Sequence, residues 1–165
     1  MERYQNQSLL RYNTFGIDQK CDELIVFESE EDAVALSSEL RNHIAQGGRF
    51  LLIGGGSNLL LTRDFDGKVI TPDGRFDISV IMEAGTDVPF LKCWAGTTFD
   101  DVVDYAVRHG YHGMENLSLI PGQCGASAVQ NIGAYGAEAK DLISEIEAVE
   151  ITTGRIVRLK PADCH

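Results

Sequence analysis

The chain has 165 residues, of which 44% are hydrophobic and 24% are charged, so it can bury a core as one domain or as two small lobes. Its formal net charge of -11 argues against sequence-independent binding to nucleic acid, which requires basic surfaces. No apolar run reaches the roughly 20 residues of a membrane-spanning helix, and the polar residues 1–13 contain no core of a secretory signal. We therefore expect a cytosolic protein without membrane insertion.

The first part of the chain predicts a small α/β lobe. Apolar residues within 21–27 indicate a buried strand, and Ser29 with Asp32 predicts the start of a helix. The apolar run 50–53 predicts a second strand ahead of the glycine-rich turn 54–58. The buried face of the helix would contain four residues at helical spacing, which are Ala33, Leu36, Leu40 and Ile44.

This first lobe is expected to end at residue 72. Asp64-Phe65-Asp66-Gly67 lies between short apolar runs, and Asp-Gly is a strong reverse-turn signal. The pattern therefore predicts a hairpin that closes the lobe.

The rest of the chain, residues 73–165, predicts a second lobe. Alternating apolar residues within 76–94 favour two antiparallel strands, and a helix is expected between Thr98 and Gly110. The buried stripe of that helix would contain Phe99, Val102, Val103, Ala106 and Val107. The mixture of elements predicts the α+β class.

The end of the chain predicts three further elements. Residues 139–146 are expected to be helical and to lead into a strand that ends at Ile151. Thr153-Gly154 would then turn the chain into a last strand at 155–159. The cysteines Cys21, Cys93, Cys124 and Cys164 form no Cys-x-x-Cys pair, so we expect reduced thiols.

The segment 121–136 is the most informative part of the sequence. It places glycines and alanines around Gln130, Asn131 and Tyr135. Such small residues let the backbone lie close to a ligand, at a cost in conformational entropy that packing alone does not explain. Gln130 and Asn131 could bind the edge of an aromatic heterocycle or could cap backbone groups within the loop. Tyr135 could stack on a ligand or simply pack.

The turn 54–58 is a second candidate for ligand binding, because successive N–H groups in such a turn form anion sites. Its alternative is an ordinary turn between strands. It lacks the Gly-Lys-Ser/Thr ending of a P-loop, and Leu59 stands where a dinucleotide fingerprint has its third glycine. Two glycine-rich segments together favour one large phosphate-bearing ligand.

Three other features have weaker functional interpretations. Asn13-Thr14-Phe15-Gly16 is more typical of a structural turn. His109, His112 and Glu115 could suggest a metal site, but His109 would sit at a helix end, where histidine is favoured by the helix dipole, so we predict no metal. Cys124 has no base near it in sequence and is more typical of a small packed residue than of a nucleophile.

Three segments of the chain closely resemble the UDP-N-acetylenolpyruvoylglucosamine reductase family. They are the turn 13–16, the turn 54–58, and Ile120-Pro121-Gly122 with the later string Gln130-Asn131-Ile132-Gly133-Ala134-Tyr135-Gly136. The resemblance implies the two FAD-binding lobes of the vanillyl-alcohol-oxidase type of fold, with FAD held between them. It also implies NADPH as reductant and a UDP-sugar as substrate. It favours no particular oligomeric state.

The resemblance also assigns the two glycine-rich segments. The residues that would offer N–H groups to the FAD pyrophosphate are Gly54, Gly55, Gly56, Ser57, Asn58 and Leu59. The residues that would line the flavin are Pro121, Gly122, Gly125, Ala126, Ser127, Gln130, Asn131, Ile132, Gly133, Ala134 and Tyr135. Cys124 stands where the family often has valine, and Ala128 where it often has proline, but neither change removes a hydrogen-bonding group.

The family continues beyond the residues that match this chain. Its catalytic arginine, its proton-donating serine and its glutamate would all lie past His165, in the return of the flavin domain and in the substrate domain. We therefore expect no catalytic side chain here and negligible reductase activity from the 165 residues alone. Two alternatives remain, which are an FAD-dependent oxidase of the same fold and a non-enzymatic nucleotide-binding module.

Overall fold

The computed structural model describes residues 1–82, 85 and 88–164. These residues divide into two compact units. Unit 1 contains residues 1–73 and 144–165, and unit 2 contains residues 74–143. The mixture of helices with parallel and antiparallel strands agrees with the predicted α+β class.

Unit 1 is built on a four-stranded sheet with one long helix. Its elements are β1 (Glu2–Ser8), β2 (Lys20–Phe27), α1 (Glu30–Ala45), β3 (Phe50–Leu52) and β4 (Phe65–Pro72). The strand order is β1-β2-β4-β3, with β1 antiparallel to β2 and with β2 and β3 both parallel to β4. The predicted strands at 21–27 and 50–53 and the predicted helix are therefore confirmed. Ser29 caps α1 as expected, because its Oγ accepts from the Asp32 N–H at 3.1 Å.

Different elements pack on the two faces of this sheet. On one face α1 packs through Leu36 and Leu40 onto Ile25 and Ile70. The other face carries a second cluster, whose buried members are Leu9, Cys21, Leu24, Val26, Ile53, Leu61 and Val69. Several of these come from the segments 9–17 and 53–61, so two loops rather than a helix close this face. Ile44, which was expected on the buried face of α1, is 44% exposed because it lies in the last turn.

The hairpin predicted at Asp64-Phe65-Asp66-Gly67 is wrong. Phe65, Asp66 and Gly67 lie inside β4, which pairs in parallel with both of its neighbours. Gly67 allows close packing rather than a turn, since a Cβ at this position would lie 2.3 Å from the Arg49 carbonyl oxygen. The register between β2 and β4 also shifts between Cys21 and Glu23. The glycine therefore permits a close approach within an irregular strand.

Unit 2 contains shorter elements. They are β5 (Ile78–Met82), β6 (Pro89–Cys93), α2 (Phe99–Arg108), α3 (Cys124–Val129), β7 (Gly133–Ala134) and β8 (Ala137–Glu138). The predicted antiparallel pair is confirmed as β5 and β6, and the predicted helix is confirmed as α2. The core of the unit contains Phe99, Val103, Leu117, Ile132 and Ala139. Val107 is 48% exposed, so it does not belong to the predicted buried stripe.

The end of the chain packs with unit 1, whereas we expected residues 73–165 to form one lobe. It forms a hairpin of β9 (Ile146–Glu150) and β10 (Arg155–Leu159), as the Thr153-Gly154 turn predicts. Ile151 packs against the cluster beneath α1, and the Arg41 guanidinium donates to the Thr152 carbonyl at 2.9 Å. The helix expected at 139–146 is wrong, since only Ala139–Asp141 forms a 3₁₀ turn.

Four charged side chains form an ion-pair network in unit 1. Arg3 contacts Glu23 at 3.1 Å and Glu39 at 2.5 Å, and Lys68 contacts Glu39 at 3.0 Å and also pairs with Glu23. Hydrogen bonding from Arg3 is the main reason that the pKa of Glu39 falls to about 2. Burial raises the pKa of Glu23, but hydrogen bonds from Lys68 and Arg3 bring it below its usual value.

This network predicts a loss of stability in acid. A carboxylate whose pKa is lower in the folded chain stabilises it above the ordinary pKa of 4.5, and that contribution disappears as the pH falls towards about 2. Because Glu39 is about one-third exposed, we expect its share to be only about 1 kcal/mol. Urea unfolding across this pH range should therefore show that the free energy of unfolding falls less steeply with decreasing pH in Glu39→Gln than in the unchanged chain. Equal slopes in the two proteins would contradict the assignment.

Two further observations bear on the sequence predictions. Within the described residues, no helix is long and apolar enough to cross a membrane. Cys21, Cys93, Cys124 and Cys164 are all free thiols, in agreement with the expected reduced state.

Candidate functional site

The glycine loop 54–59 follows β3 directly in unit 1. The Ile53 N–H still donates to the Ile70 carbonyl at 2.9 Å, so the pairing with β4 ends where the glycines begin. Because β3 and β4 are parallel, residues 53–64 must return across the sheet from the carboxyl end of β3 to the start of β4. The glycine loop therefore lies at the carboxyl end of a parallel strand, which is the usual edge for ligand binding in such sheets.

Gly56 fixes the path of this loop. It is buried, has φ +65°, and would place a Cβ 2.0 Å from the Tyr12 carbonyl oxygen and 2.8 Å from the Asn13 Cα. The Thr14 N–H also donates to the Gly56 carbonyl at 3.3 Å. Only glycine allows both the positive φ and the close approach. The segment 12–14 and the glycine loop are therefore built against each other.

The turn at Asn13 supports the loop structurally. The Asn13 amide donates to the carbonyls of Leu9 at 2.8 Å and Ile17 at 2.9 Å, and its oxygen accepts from the Ile17 N–H at 3.0 Å. The side chain is 7% exposed, so these bonds are buried. The structural interpretation of Asn13-Thr14-Phe15-Gly16 is confirmed.

The loop also presents backbone donors. Within the part of the chain that the structure describes, the N–H groups of Gly54, Gly55 and Gly56 donate to no protein acceptor. Gly55 is exposed and Gly54 is half-buried. A short row of N–H groups with no internal acceptor is suited to binding an anion such as a phosphate group.

In unit 2 the segment 121–129 is anchored to the turn that follows β6. The Cys124 N–H donates to the Thr97 carbonyl and the Gly125 N–H to the Ala95 carbonyl, both at 2.9 Å. The Phe99 N–H in turn donates to the Gly122 carbonyl at 3.0 Å. A Cβ at Gly125 would lie 3.0 Å from the Ala95 Cβ, so the small residue permits this close packing.

Thr97 holds that turn in place. Its side chain is fully buried, and its hydroxyl accepts from the Asp77 N–H at 3.1 Å and donates to the Arg75 carbonyl at 3.0 Å. The turn that supports the start of α3 is therefore tied to the start of β5.

Asn131 uses its side chain inside the loop. Its amide nitrogen donates to Glu138 Oε2 at 3.1 Å, and its oxygen accepts from the Lys140 N–H at 2.9 Å. Asn131 also has φ +45°, a conformation that asparagine tolerates better than most residues. Of the two interpretations left open by the sequence, the structure displays the capping of groups within the loop.

Tyr135 occupies the tip of the β7–β8 hairpin. Tyr135 and Gly136 have φ values of +51° and +82°, as in a two-residue type I′ turn. The Tyr135 side chain is 89% exposed, so it is not packed into the unit. Beside it lies an open depression of about 410 Å³, lined by Asn131, Gly133, Ala134, Gly136, Ala137 and Glu138. A bulky residue held at positive φ and exposed to solvent points to a role other than stability.

This strain gives a testable prediction. Asparagine is favoured at the first central position of a type I′ turn, so we expect Tyr135→Asn to raise the free energy of unfolding by about 0.5 to 1 kcal/mol. Tyr135→Phe keeps the strain and should leave the stability unchanged. Urea unfolding measures both variants. Destabilisation by Tyr135→Asn would show that the ring contributes packing that its exposure does not reveal.

Unit 2 carries other exposed apolar side chains. Leu119 is 83% exposed and has φ +62°, and Val129 is 84% exposed. The Leu119 N–H is held by Asp100 at 2.7 Å. Together with Tyr135 these residues leave apolar surface uncovered, as expected where a ligand or another part of a protein binds.

Gln123 was missed by the sequence analysis. Its Oε1 is buried and, among the described residues, has no hydrogen-bond donor. A buried acceptor without a donor is costly and is common where a ligand supplies the missing hydrogen bond. The position of Gln123 inside the segment 121–136 was visible in the sequence, but burial of one side-chain atom was not.

The residues first considered for metal binding have other contacts. His109 stacks on Tyr105 with the ring centroids 4.0 Å apart, and His112 contacts Glu115 at 3.1 Å. In residues 1–82, 85 and 88–164, no three His, Cys, Asp or Glu side chains are grouped as a metal would require.

Comparison with known proteins identifies the family. A family described as an FAD binding domain matches residues 22–160. This chain belongs to that family of FAD-binding domains.

The most similar relatives share one name. The chain is 46% identical over 151 residues to UDP-N-acetylenolpyruvoylglucosamine reductase of Bacteroides fragilis, covering 89% of the chain and 42% of the relative. It is 38% identical over 165 residues to the reductase of Flavobacterium johnsoniae, covering all of the chain and 47% of that relative. The FAD-binding domain thus spans somewhat less than half the length of these curated relatives.

A solved structure supports the fold. The crystal structure of UDP-N-acetylenolpyruvylglucosamine reductase from Thermus caldophilus has a TM-score of 0.70 and 25% identity to the chain, and the match covers 98% of this chain and 53% of that one. The predicted α+β fold of the FAD-binding type is confirmed.

The site residues suit FAD chemically. Among the residues that the structure describes, the N–H groups of Gly54, Gly55 and Gly56 have no protein acceptor, which suits a pyrophosphate. The Gln123 Oε1 has no donor among the same residues, which suits an N–H group such as a flavin ring provides. The binding role of each individual residue remains a prediction.

Proposed function

We propose that this chain is the FAD-binding portion of a reductase of peptidoglycan precursor synthesis. That enzyme uses NADPH to reduce the enolpyruvyl group of UDP-N-acetylenolpyruvoylglucosamine, and the product is UDP-N-acetylmuramate. The observation that carries the proposal is the agreement among relatives. Eight curated relatives that are 34 to 46% identical over at least 89% of the chain all bear the name of this reductase. The cytoplasm follows as its location, since the UDP-sugar is a soluble precursor.

In this proposal the glycine loop binds the FAD pyrophosphate. Gly54 to Leu59 would offer backbone N–H groups, of which three have no protein acceptor among the described residues. Backbone dipoles can bind an anion even in a chain whose formal net charge is -11, because they act locally. The packing of Gly56 against residues 12–13 would hold these donors in a fixed arrangement before FAD arrives.

The segment 121–135 would line the flavin. Its small residues lie on a rigid base, because Cys124 and Gly125 donate to the turn at 95–97. The Gln123 oxygen would accept a hydrogen bond from the flavin ring, and the exposed Tyr135 ring would contact the ligand. When bound, FAD would supply the transfer of hydride from NADPH to the enolpyruvyl double bond.

The chain itself would position the cofactor and supply no catalytic side chain. It spans less than half the length of the relatives, so the groups that bind the UDP-sugar and donate the proton would belong to the unmatched part of such a protein.

A chimera tests this function. The chain would be joined to the C-terminal remainder of the Bacteroides fragilis reductase, and NADPH oxidation would be followed with the enolpyruvyl UDP-sugar as acceptor. We expect substrate-dependent turnover from the chimera and negligible turnover from the 165 residues alone. Flavin content, read from the visible spectrum, reports whether the chimera has folded. A flavin-loaded chimera without turnover, or turnover by the chain alone, would contradict the proposal.

A further inference from the structure

Leu119 is an exposed leucine in a strained conformation. Its side chain is 83% exposed and its φ is +62°, a region in which the Cβ of an L-residue crowds a backbone carbonyl oxygen. Neither the exposure nor the strain stabilises unit 2. Leu119 also lies outside the residues 121–135, to which the flavin was assigned above.

The apolar residues on either side of Leu119 belong to the core of unit 2. Leu117 is fully buried in the cluster that contains Phe99 and Val103, and Ile120 packs against that cluster. Of the three apolar side chains in this short stretch, that of Leu119 is the one directed into solvent. The chain is therefore anchored before and after Leu119, and its exposure is a property of the fold.

Asp100, in the first turn of α2, holds Leu119 in this conformation. The Asp100 Oδ1 accepts from the Leu119 N–H at 2.7 Å and from the Ser118 hydroxyl at 3.0 Å. Further along, the Phe99 N–H donates to the Gly122 carbonyl at 3.0 Å. The start of α2 thus binds this turn at both ends, and one attachment is made at the strained residue itself.

Strained residues are concentrated in this part of the sequence. Among the described residues, four that are not glycine have positive φ, and three of these are Leu119, Asn131 and Tyr135. Asn131 and Tyr135 belong to the segment proposed to line the flavin. Strain of this kind is typical of binding sites, where the surrounding structure fixes a side chain before the ligand arrives. Leu119 shares the strain of both residues and the exposure of Tyr135.

We propose that Asp100 is a positioning residue, which holds Leu119 at positive φ so that the leucine side chain contacts the flavin ring of FAD. This inference rests on the function proposed above, in which the next residues, 121–135, line the flavin. A leucine that is already exposed can cover part of a planar ring without a change of conformation. The contact would stabilise the complex because apolar surface leaves water. Asp100 itself would not touch the cofactor.

The dissociation constant for FAD, measured by flavin fluorescence with the full chain, tests the contact. Leu119→Ala removes most of the apolar side chain, so we expect FAD to bind about tenfold more weakly. The midpoint of urea unfolding should stay the same, because this side chain is exposed in the apo chain. Asp100→Ala should weaken binding by a similar factor. The double variant should bind no more weakly than either single variant, since both changes remove the same contact.

Two control variants separate positioning from a general effect of charge. Asp100→Asn keeps an oxygen that can accept from the Leu119 N–H, so its affinity for FAD should equal that of the unchanged chain. Asp101→Ala removes an exposed carboxylate from the same turn of α2 and should also leave the affinity unchanged. Equal weakening by Asp100→Ala and Asp101→Ala, or additive effects of Asp100→Ala and Leu119→Ala, would overturn the positioning role.

Urea unfolding of the apo chain tests the hold of Asp100 on its own. Leu119→Gly relieves the strain at positive φ, so it should raise the urea concentration at the unfolding midpoint. The gain should be smaller when Asp100→Ala is also present, because the turn can then relax by itself. Equal gains in the two backgrounds would show that Asp100 does not impose the conformation of Leu119.

The outcomes also separate this contact from the proposed function. If the folded, unchanged chain binds no FAD, the flavin-binding role is wrong and the contact of Leu119 with the flavin is wrong with it. If FAD binds equally well to the unchanged chain and to Leu119→Ala, the flavin-binding role stands and only the contact assigned to Leu119 is wrong.

Discussion

Replacing Gly56 with alanine should lower the free energy of unfolding by about 3 to 5 kcal/mol. The added Cβ would lie 2.0 Å from the Tyr12 carbonyl oxygen and 2.8 Å from the Asn13 Cα, and both are backbone atoms that cannot turn away. The variant must therefore move either the glycine loop or the segment 12–14. Urea unfolding followed by circular dichroism measures the effect, and failure to accumulate folded protein would be its extreme form.

Gly16→Ala is the matched control for this change. Gly16 has φ +64°, almost equal to the +65° of Gly56, but no atom lies within 4 Å of the position that its Cβ would take. Gly16→Ala should therefore lower the free energy of unfolding only by the cost of holding alanine at positive φ, about 1 kcal/mol. If the two variants were equally stable, the close approach between Gly56 and Tyr12 would not exist in solution.

A negative charge in the glycine loop should weaken FAD binding by at least about tenfold, because it competes with the pyrophosphate for the same N–H groups. Ser57→Asp places a carboxylate next to Gly54, Gly55 and Gly56, whose N–H groups have no protein acceptor among the described residues. Equilibrium titration with FAD, followed by flavin fluorescence, gives the dissociation constant.

The control is Ser57→Asn, which has nearly the same shape as aspartate but no charge. It should bind FAD far more tightly than Ser57→Asp, and the difference between the two should shrink as salt is added. Equal affinities for the two variants at low salt would mean that the glycine loop does not contact the pyrophosphate.

The sequence predicted the elements whose residues repeat at a clear period. The apolar run in β2, the capped helix α1 and the helix α2 were found where expected, although Ile44 and Val107 lie outside the buried faces predicted for the two helices. β1 was missed because its side chains are polar and mostly exposed, and it is held by backbone pairing with β2 at the edge of the sheet. The alternation of apolar and polar side chains that usually indicates a strand is absent from such a sequence.

The errors have a physical explanation in long-range contacts. Asp66-Gly67 has the composition of a turn, yet both residues lie in a strand. The glycine is required there because a side chain would collide with the Arg49 carbonyl oxygen. β9 and the turn after it follow unit 2 in the chain but pack with α1, a contact that no local pattern encodes.

The candidate site was predicted as two segments, and its details depend on the fold. The glycines indicated where a backbone could approach a ligand. The Gln123 oxygen, which has no donor in the described part of the chain, and the hydrogen-bonded amide of Asn131 become visible only in the folded chain.

The most direct test of the central claim is the retention of flavin by the purified chain. The apo protein would be mixed with FAD or with riboflavin, passed through gel filtration, and its visible absorption spectrum recorded in the protein peak. We predict that FAD co-elutes with the protein and that riboflavin, which lacks the pyrophosphate, does not. Retention of neither flavin by a folded chain, or equal retention of both, would contradict a site in which the glycine loop binds the pyrophosphate.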